Sequence, residues 1–112
     1  MTMPIKEQGY KGIRTLIEAR LTQYRRQHEE EVEKALGYKS QYEELVSLVE
    51  QMAEEGAPQA EIDRLIKLAQ EKAELNQKHY VAAKDLENRI IINEELLKAE
   101  IDREGGDGDG GE

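Results

Sequence analysis

Mainly apolar side chains recur at alternating spacings of four and three residues over residues 60–103, and this repeat constrains the fold more than any other feature. The repeating positions are Ile62, Ile66, Ala69, Ala73, Asn76, Tyr80, Ala83, Glu87, Ile90, Glu94, Leu97 and Ile101. Such spacing is the repeat of a coiled coil, in which one face of a helix packs against a partner helix. The sequence therefore predicts a long α-helix over residues 59–104.

The same helix carries a second face with the same spacing, set back by one residue. Its positions are Leu65, Leu68, Lys72, Leu75, His79, Ala82, Leu86, Arg89, Asn93 and Leu96. Successive residues are about 100° apart around an α-helix, so the two faces are adjacent and need two neighbours. We therefore expect the second face to be a protein interface. Its contact residues are predicted to be Leu65, Leu68, Leu75, Ala82, Leu86 and Leu96.

The repeat also runs through residues 13–54, which predicts another long helix before the first. Its face consists of Ile17, Leu21, Tyr24, His28, Glu31, Ala35, Tyr38, Tyr42, Leu45, Val49 and Met52. A break near Gly37 is the alternative, because glycine costs a helix about 1 kcal/mol relative to alanine and Ser40 opens a capping-box pattern. The repeat keeps its phase from Ala35 to Leu45, which favours one continuous helix.

Residues 55–58 carry the signals of a short connection. Gly56 suits the left-handed position at a helix C-terminus, and Pro58 suits the first turn of the following helix. A connection this short makes the two helices run antiparallel, with the numbers of facing residues summing to about 115. This register places His28 near Glu87 and His79 near Leu36.

Three polar residues interrupt the predicted faces: His28, Asn76 and Glu87. A polar residue inside a coiled-coil seam fixes the register of the helices, and we favour this interpretation for all three. The alternative for His28 and Glu87 is a pH-sensitive latch, because histidine changes its charge near physiological pH.

The two ends of the chain differ from the middle. Residues 1–12 contain Pro4, Gly9 and Gly12 and are predicted to be a flexible lead-in. Residues 105–112 alternate glycine with acidic residues, as is typical of a disordered acidic tail. The chain has a net charge of -9, but residues 1–28 carry six basic and two acidic side chains. We interpret this basic region as neutralising the acidic C-terminal half of the facing helix, so direct nucleic-acid binding is not expected.

The sequence offers no chemistry of an enzyme or a metalloprotein. It contains no cysteine, and neither His28 nor His79 lies in the Glu-x-x-His pattern of a di-iron bundle. We expect no catalytic residue, no metal site and no cofactor. No run of about 20 apolar residues is present, so no membrane association is expected, and we predict a cytoplasmic protein.

These features predict an all-α antiparallel helical hairpin that self-associates, most simply as a homodimeric four-helix bundle or a higher homo-oligomer. We expect a non-enzymatic interaction module, such as a coiled-coil adaptor, scaffold or assembly factor, that binds itself and another protein. The alternative is an acidic inhibitor that imitates nucleic acid and occupies the groove of a DNA- or RNA-binding protein.

Overall fold

The computed structural model describes the backbone of residues 3–109 and the side chains of residues 12–105. Two helices, α1 (Met3–Glu54) and α2 (Gln59–Asp109), account for all regular secondary structure in these residues. The predicted all-α antiparallel helical hairpin is confirmed. Helix α1 is also continuous through Gly37 and Ser40, so the alternative of a third helix is wrong. An added Cβ at Gly37 would meet nothing within 4 Å, so this glycine costs only its intrinsic helix propensity.

The connection between the helices is a Schellman turn, which satisfies backbone carbonyls that the last turn of α1 would leave free. The Ala57 amide donates to the Met52 carbonyl at 2.9 Å, and the Gly56 amide donates to the Ala53 carbonyl at 3.2 Å. This motif requires a left-handed residue, and Gly56 has a φ of 76°. The Pro58 carbonyl then accepts the first bonds of α2. Residues 55–58 therefore connect the end of α1 to the start of α2.

The outer ends of the helices differ from the predicted boundaries. Helix α1 begins at Met3 instead of residue 13, and α2 continues to Asp109 instead of residue 104. Pro4 fits this start, because its missing N–H is not needed in the first turn of a helix. Extending an existing helix adds one hydrogen bond per residue, which offsets part of the cost of glycine. The flexible lead-in predicted for residues 1–12 and the disordered tail predicted for residues 105–112 lie almost entirely outside the residues whose side chains the structure describes.

The chain divides into two compact units. The turn unit comprises residues His28–Lys84, and the terminal unit comprises Met1–Gln27 with Asp85–Glu112. In the turn unit the buried apolar residues are Ala35, Ile62, Ala69 and Ala83. In the terminal unit Leu21 and Asn93 are buried.

Burial corrects the predicted face of α2. The buried residues of α2 are Ile62, Ala69 and Ala83 in the turn unit and Asn93 in the terminal unit. They fit one repeat whose other members are all half-buried: Leu65, Lys72, Asn76, His79, Leu86, Ile90, Leu97 and Glu100. These positions form one 4-3 repeat that, up to Leu97, takes its members alternately from the two predicted faces. One partner helix therefore covers half of each face. Ile66 and Tyr80, which the prediction put in the seam, are exposed.

Candidate protein-interaction surface

Each unit has a seam, where its two helices pack together, and two flanks, one on either side of the seam. We call one flank the leading flank; it holds the residues that come directly before a seam residue in the sequence. The other is the trailing flank, which holds the residues that come directly after a seam residue. In an antiparallel pair the leading residues of both helices lie on the same side, because one helix is inverted relative to the other. In the turn unit, Gln41 and Leu68 line one shared groove, and Lys39 and Ala73 line another.

The leading flank of the turn unit contains several of the predicted interface residues. Leu68 is 38% exposed, whereas Leu75 and Ala82 are half-buried. Leu65 is half-buried in the seam itself. Leu48 of α1 is also exposed on this flank. A groove of about 350 Å³ lies beside Leu68 and is lined by Ser40, Gln41, Glu44, Leu45, Leu68 and Lys72. Such a groove could accept an apolar side chain from another helix.

The trailing flank of the turn unit is more polar. Its groove of about 240 Å³ is lined by Lys39, Tyr42, Glu43, Ala73 and Asn76. Ile66 is 38% exposed on this side, and Tyr80 is also exposed. The Lys84 ammonium lies 5.9 Å from the centre of the Tyr80 ring, within the range of a cation–π interaction.

The remaining predicted interface residues lie in the terminal unit. Leu86 is half-buried in the seam, and Leu96 is exposed on the leading flank. Ile13, Leu16 and Ile92 are exposed on the same flank and were missed by the sequence reasoning. A signal for Ile92 was available, because three consecutive isoleucines at residues 90–92 cannot all face one seam when each is rotated by about 100°.

A polar layer crosses the seam of the turn unit. His79 Nδ1 and Glu31 Oε2 are 2.5 Å apart, and both side chains are mostly buried. The Tyr38 ring stacks on the His79 ring with a centroid distance of 5.5 Å, and the Lys72 ammonium lies 5.6 Å from the centre of the Tyr38 ring. His79 therefore contacts Glu31 and Tyr38, and its predicted neighbour, Leu36, is exposed instead.

Asn76 belongs to the same layer and bonds across the seam. Its Nδ2 donates to the Ala35 carbonyl at 2.7 Å. A bond of this kind favours the register in which it forms, and the register role of Asn76 stays a prediction. His28 and Glu87 are half-buried in different units, and their role in fixing the register stays a prediction.

Ion pairs connect the helices of the terminal unit. Arg25 Nη2 lies 2.8 Å from Glu94 Oε2, and Arg14 Nη1 lies 3.1 Å from Glu104 Oε1. All four side chains are at least two-fifths exposed, so each pair contributes about 0–1 kcal/mol. Arg14 and Arg25 thus meet carboxylates of α2, in the way that the sequence interpretation assigned to the basic N-terminal region.

The described side chains contain no cluster of three or more histidines or carboxylates that could hold a metal ion. Neither helix, within its described residues, has a segment apolar and long enough to cross a membrane. Comparison with known proteins finds no matching family, no similar curated protein and no similar solved structure.

Proposed function

We propose that this chain is a non-enzymatic protein–protein interaction module that self-associates through the leading flank of its turn unit. The unit would pack this flank against a second copy, with Leu68 and Leu48 at the centre of the contact. A coiled-coil assembly of this kind would serve as an adaptor, a scaffold or an assembly factor.

The observation that carries the proposal is the large area left exposed by the single chain. A compact monomer of 12.8 kDa is expected to expose about 6,300 Å². This chain exposes 8605 Å², an excess of about 2,300 Å² over the expected value. Stable homodimers bury on the order of 1,000–2,500 Å² per subunit, so a second copy could account for an excess of this size.

The composition of the buried core supports the same proposal. Three of the five buried apolar residues are alanines, which gain little from burial because they have only one methyl group. Each leucine that becomes fully buried contributes about 1.5–3 kcal/mol. Covering Leu48 and Leu68 would therefore add stabilisation that the core of the single chain lacks.

The experiment is sedimentation equilibrium of the parent chain and of the variant Leu68→Glu. We expect the parent to be a dimer or larger, and Leu68→Glu to be a folded monomer, because an interface cannot bury an unpaired carboxylate without a large cost. Circular dichroism establishes that the variant keeps its helices. The double variant Leu68→Glu with Leu75→Glu should also dissociate, but half-buried Leu75 makes that variant prone to unfold.

Ile66→Glu is the matched control. Ile66 has the same exposed fraction as Leu68, lies two residues away on the same helix, and faces the trailing flank. It should leave the oligomeric state unchanged. A parent chain that is monomeric and fully folded at micromolar concentration would refute the proposal, and equal dissociation by the two variants would refute its assignment to the leading flank.

A further inference from the structure

Four large aliphatic side chains lie exposed on the leading flank of the terminal unit: Ile13, Leu16, Ile92 and Leu96. Each is between 45% and 63% exposed. This flank lies outside the turn unit and is not used in the self-association proposed above. An apolar cluster of this density is unusual on a surface that meets only water.

The four side chains share one flank because of their position relative to the seam. Ile13 and Leu16 come directly before half-buried Arg14 and Ile17, and Ile92 and Leu96 come directly before Asn93 and Leu97. The Arg25–Glu94 ion pair joins residues that follow seam positions, so it marks the opposite, trailing flank. The four aliphatic side chains thus lie on one flank of the unit, two on each helix.

The charges around this cluster are mostly positive, although the chain as a whole has a net charge of -9. The same positional rule places Arg20, Arg89 and Arg103 on the leading flank. Asp85 is the one carboxylate that this rule places on the flank within the described residues, and it accepts a hydrogen bond from Arg89 at 3.0 Å. The trailing flank is mixed in charge, because it carries Glu18, Glu87 and Glu94 together with Arg25 and Lys98.

Of the three arginines on this flank, Arg20 is the most available to bind an external partner. It is exposed, and no ion pair joins it to another described residue, whereas Arg89 bonds to Asp85 and Arg103 bonds to Glu100. A partner with carboxylates at the edge of its apolar stripe would meet this guanidinium, and charge-assisted bonds of this type are among the stronger ones in proteins.

We propose that the leading flank of the terminal unit binds an amphipathic helix of another protein, with an apolar stripe at spacings of three and four residues and with Asp or Glu along its edges. The stripe would pack on the four aliphatic side chains, as a third helix packs between two others. The carboxylates would face Arg20 and Arg89.

Two other occupants fit the charges less well. A second copy meeting this flank through the same flank would bring two sets of Arg20, Arg89 and Arg103 into one interface, and like charges at an interface are unfavourable. An anionic lipid surface would attract the three arginines, but it would repel a chain with a net charge of -9.

The proposal is tested with two synthetic fluorescent peptides, each three heptads long, with leucine at the 3-4 positions. One peptide has glutamate at the positions beside the leucines, and the other has lysine. Binding to the full chain is measured by fluorescence anisotropy. We expect the glutamate peptide to bind, Leu16→Glu to weaken its binding about tenfold or more, and the double variant Arg20→Glu with Arg89→Glu to bind the lysine peptide better.

Leu36→Glu is the control, because Leu36 is an exposed leucine of α1 in the turn unit and should leave the affinity unchanged. The milder variant Leu16→Ser replaces Leu16→Glu if circular dichroism shows lost helix. Failure of the glutamate peptide to bind, equal binding of both peptides, or an equal loss in Leu36→Glu would overturn the proposal. So would dissociation of a self-assembled parent by Leu16→Glu, which would assign the flank to a second copy. Binding to anionic vesicles that Leu16→Glu abolishes would assign it to lipid.

Discussion

Leu21 is the most buried of the described side chains, and its truncation gives the most direct test of the packing described above. It is 2% exposed in the terminal unit. Leu21→Ala removes three buried carbon atoms and leaves a cavity beside them, a change that typically costs 2–5 kcal/mol, or about 3 kcal/mol for a site that relaxes in part. Domains of this size are stable by about 5–15 kcal/mol, so the loss is a large share of the total.

The assay is urea unfolding followed by circular dichroism at 222 nm, at a fixed protein concentration. With an m-value of about 1.5 kcal/mol/M, a loss of about 3 kcal/mol lowers the unfolding midpoint by about 2 M. Leu16→Ala is the matched control, because Leu16 lies five residues away on the same helix and is 63% exposed. Its midpoint should fall by less than about 0.3 M, since exposed substitutions typically stay within about 0.5 kcal/mol. If the two variants lose similar stability, the seam of α1 does not lie where burial places it.

Two further measurements test local features of the helices. Gly37→Ala should raise the free energy of unfolding by about 1 kcal/mol, because Gly37 is an exposed, mid-helix glycine with space for a Cβ. Gly56→Ala should lower the free energy of unfolding by a similar amount, because residue 56 has a positive φ. A stabilising Gly56→Ala would contradict the Schellman turn. The hydrogen bond from Arg103 lowers the pKa of Glu100 below its ordinary value of 4.5. The stability that ionised Glu100 contributes is therefore present at neutral pH, and it is lost as the pH falls from about 4.5 through the folded-state pKa. The difference in unfolding midpoint between the parent and Glu100→Gln should therefore shrink on acidification, and a difference that grows would contradict the assigned bond.

The sequence predicted helix α1 and the turn well because each depends on local signals. A single 4-3 repeat fits α1, and polar residues occupy most positions beside it. Because the repeat keeps its phase across Gly37, it correctly predicted one continuous helix there. Gly56 and Pro58 each have a conformational preference that fixes their place in the turn.

The face of α2 could not be predicted with the same method. Apolar residues occupy the true seam and also both of its flanks, so two repeats one residue apart fit the sequence equally well. Burial shows that Ile62 and Ala69 of one repeat share the seam with Leu65 of the other. The choice between phases depends on which residues α1 presents, and this information lies in the pairing of the helices, outside the sequence of α2.

The interface prediction was affected by the same error of phase. Leu65 and Leu86 were assigned to an external partner, but they take part in the seam. Leu68 and Leu96 are exposed, so they are the members of the predicted interface that remain available to another chain. Leu16 and Ile92 were missed because each lies outside both predicted repeats.

The two buried or half-buried asparagines of α2 show why the terminal unit has the most to gain from a partner. Asn76 bonds across the seam of the turn unit to Ala35. Asn93 is 7% exposed, and its Nδ2 donates to the Arg89 carbonyl of its own helix. Its Oδ1 is buried and has no hydrogen-bond partner among the described protein groups.

Asn93 therefore stabilises the terminal unit less than a cross-helix bond would, and Leu21 is the one buried aliphatic residue among the described side chains of that unit. The turn unit, in contrast, has four buried apolar residues and a satisfied amide at Asn76. The unit with the weaker seam is also the unit with four exposed aliphatic residues on one flank. A helix bound there would bury apolar area that the terminal unit cannot bury by itself, and because binding stabilises the folded state, partner binding and local folding of this unit should be coupled.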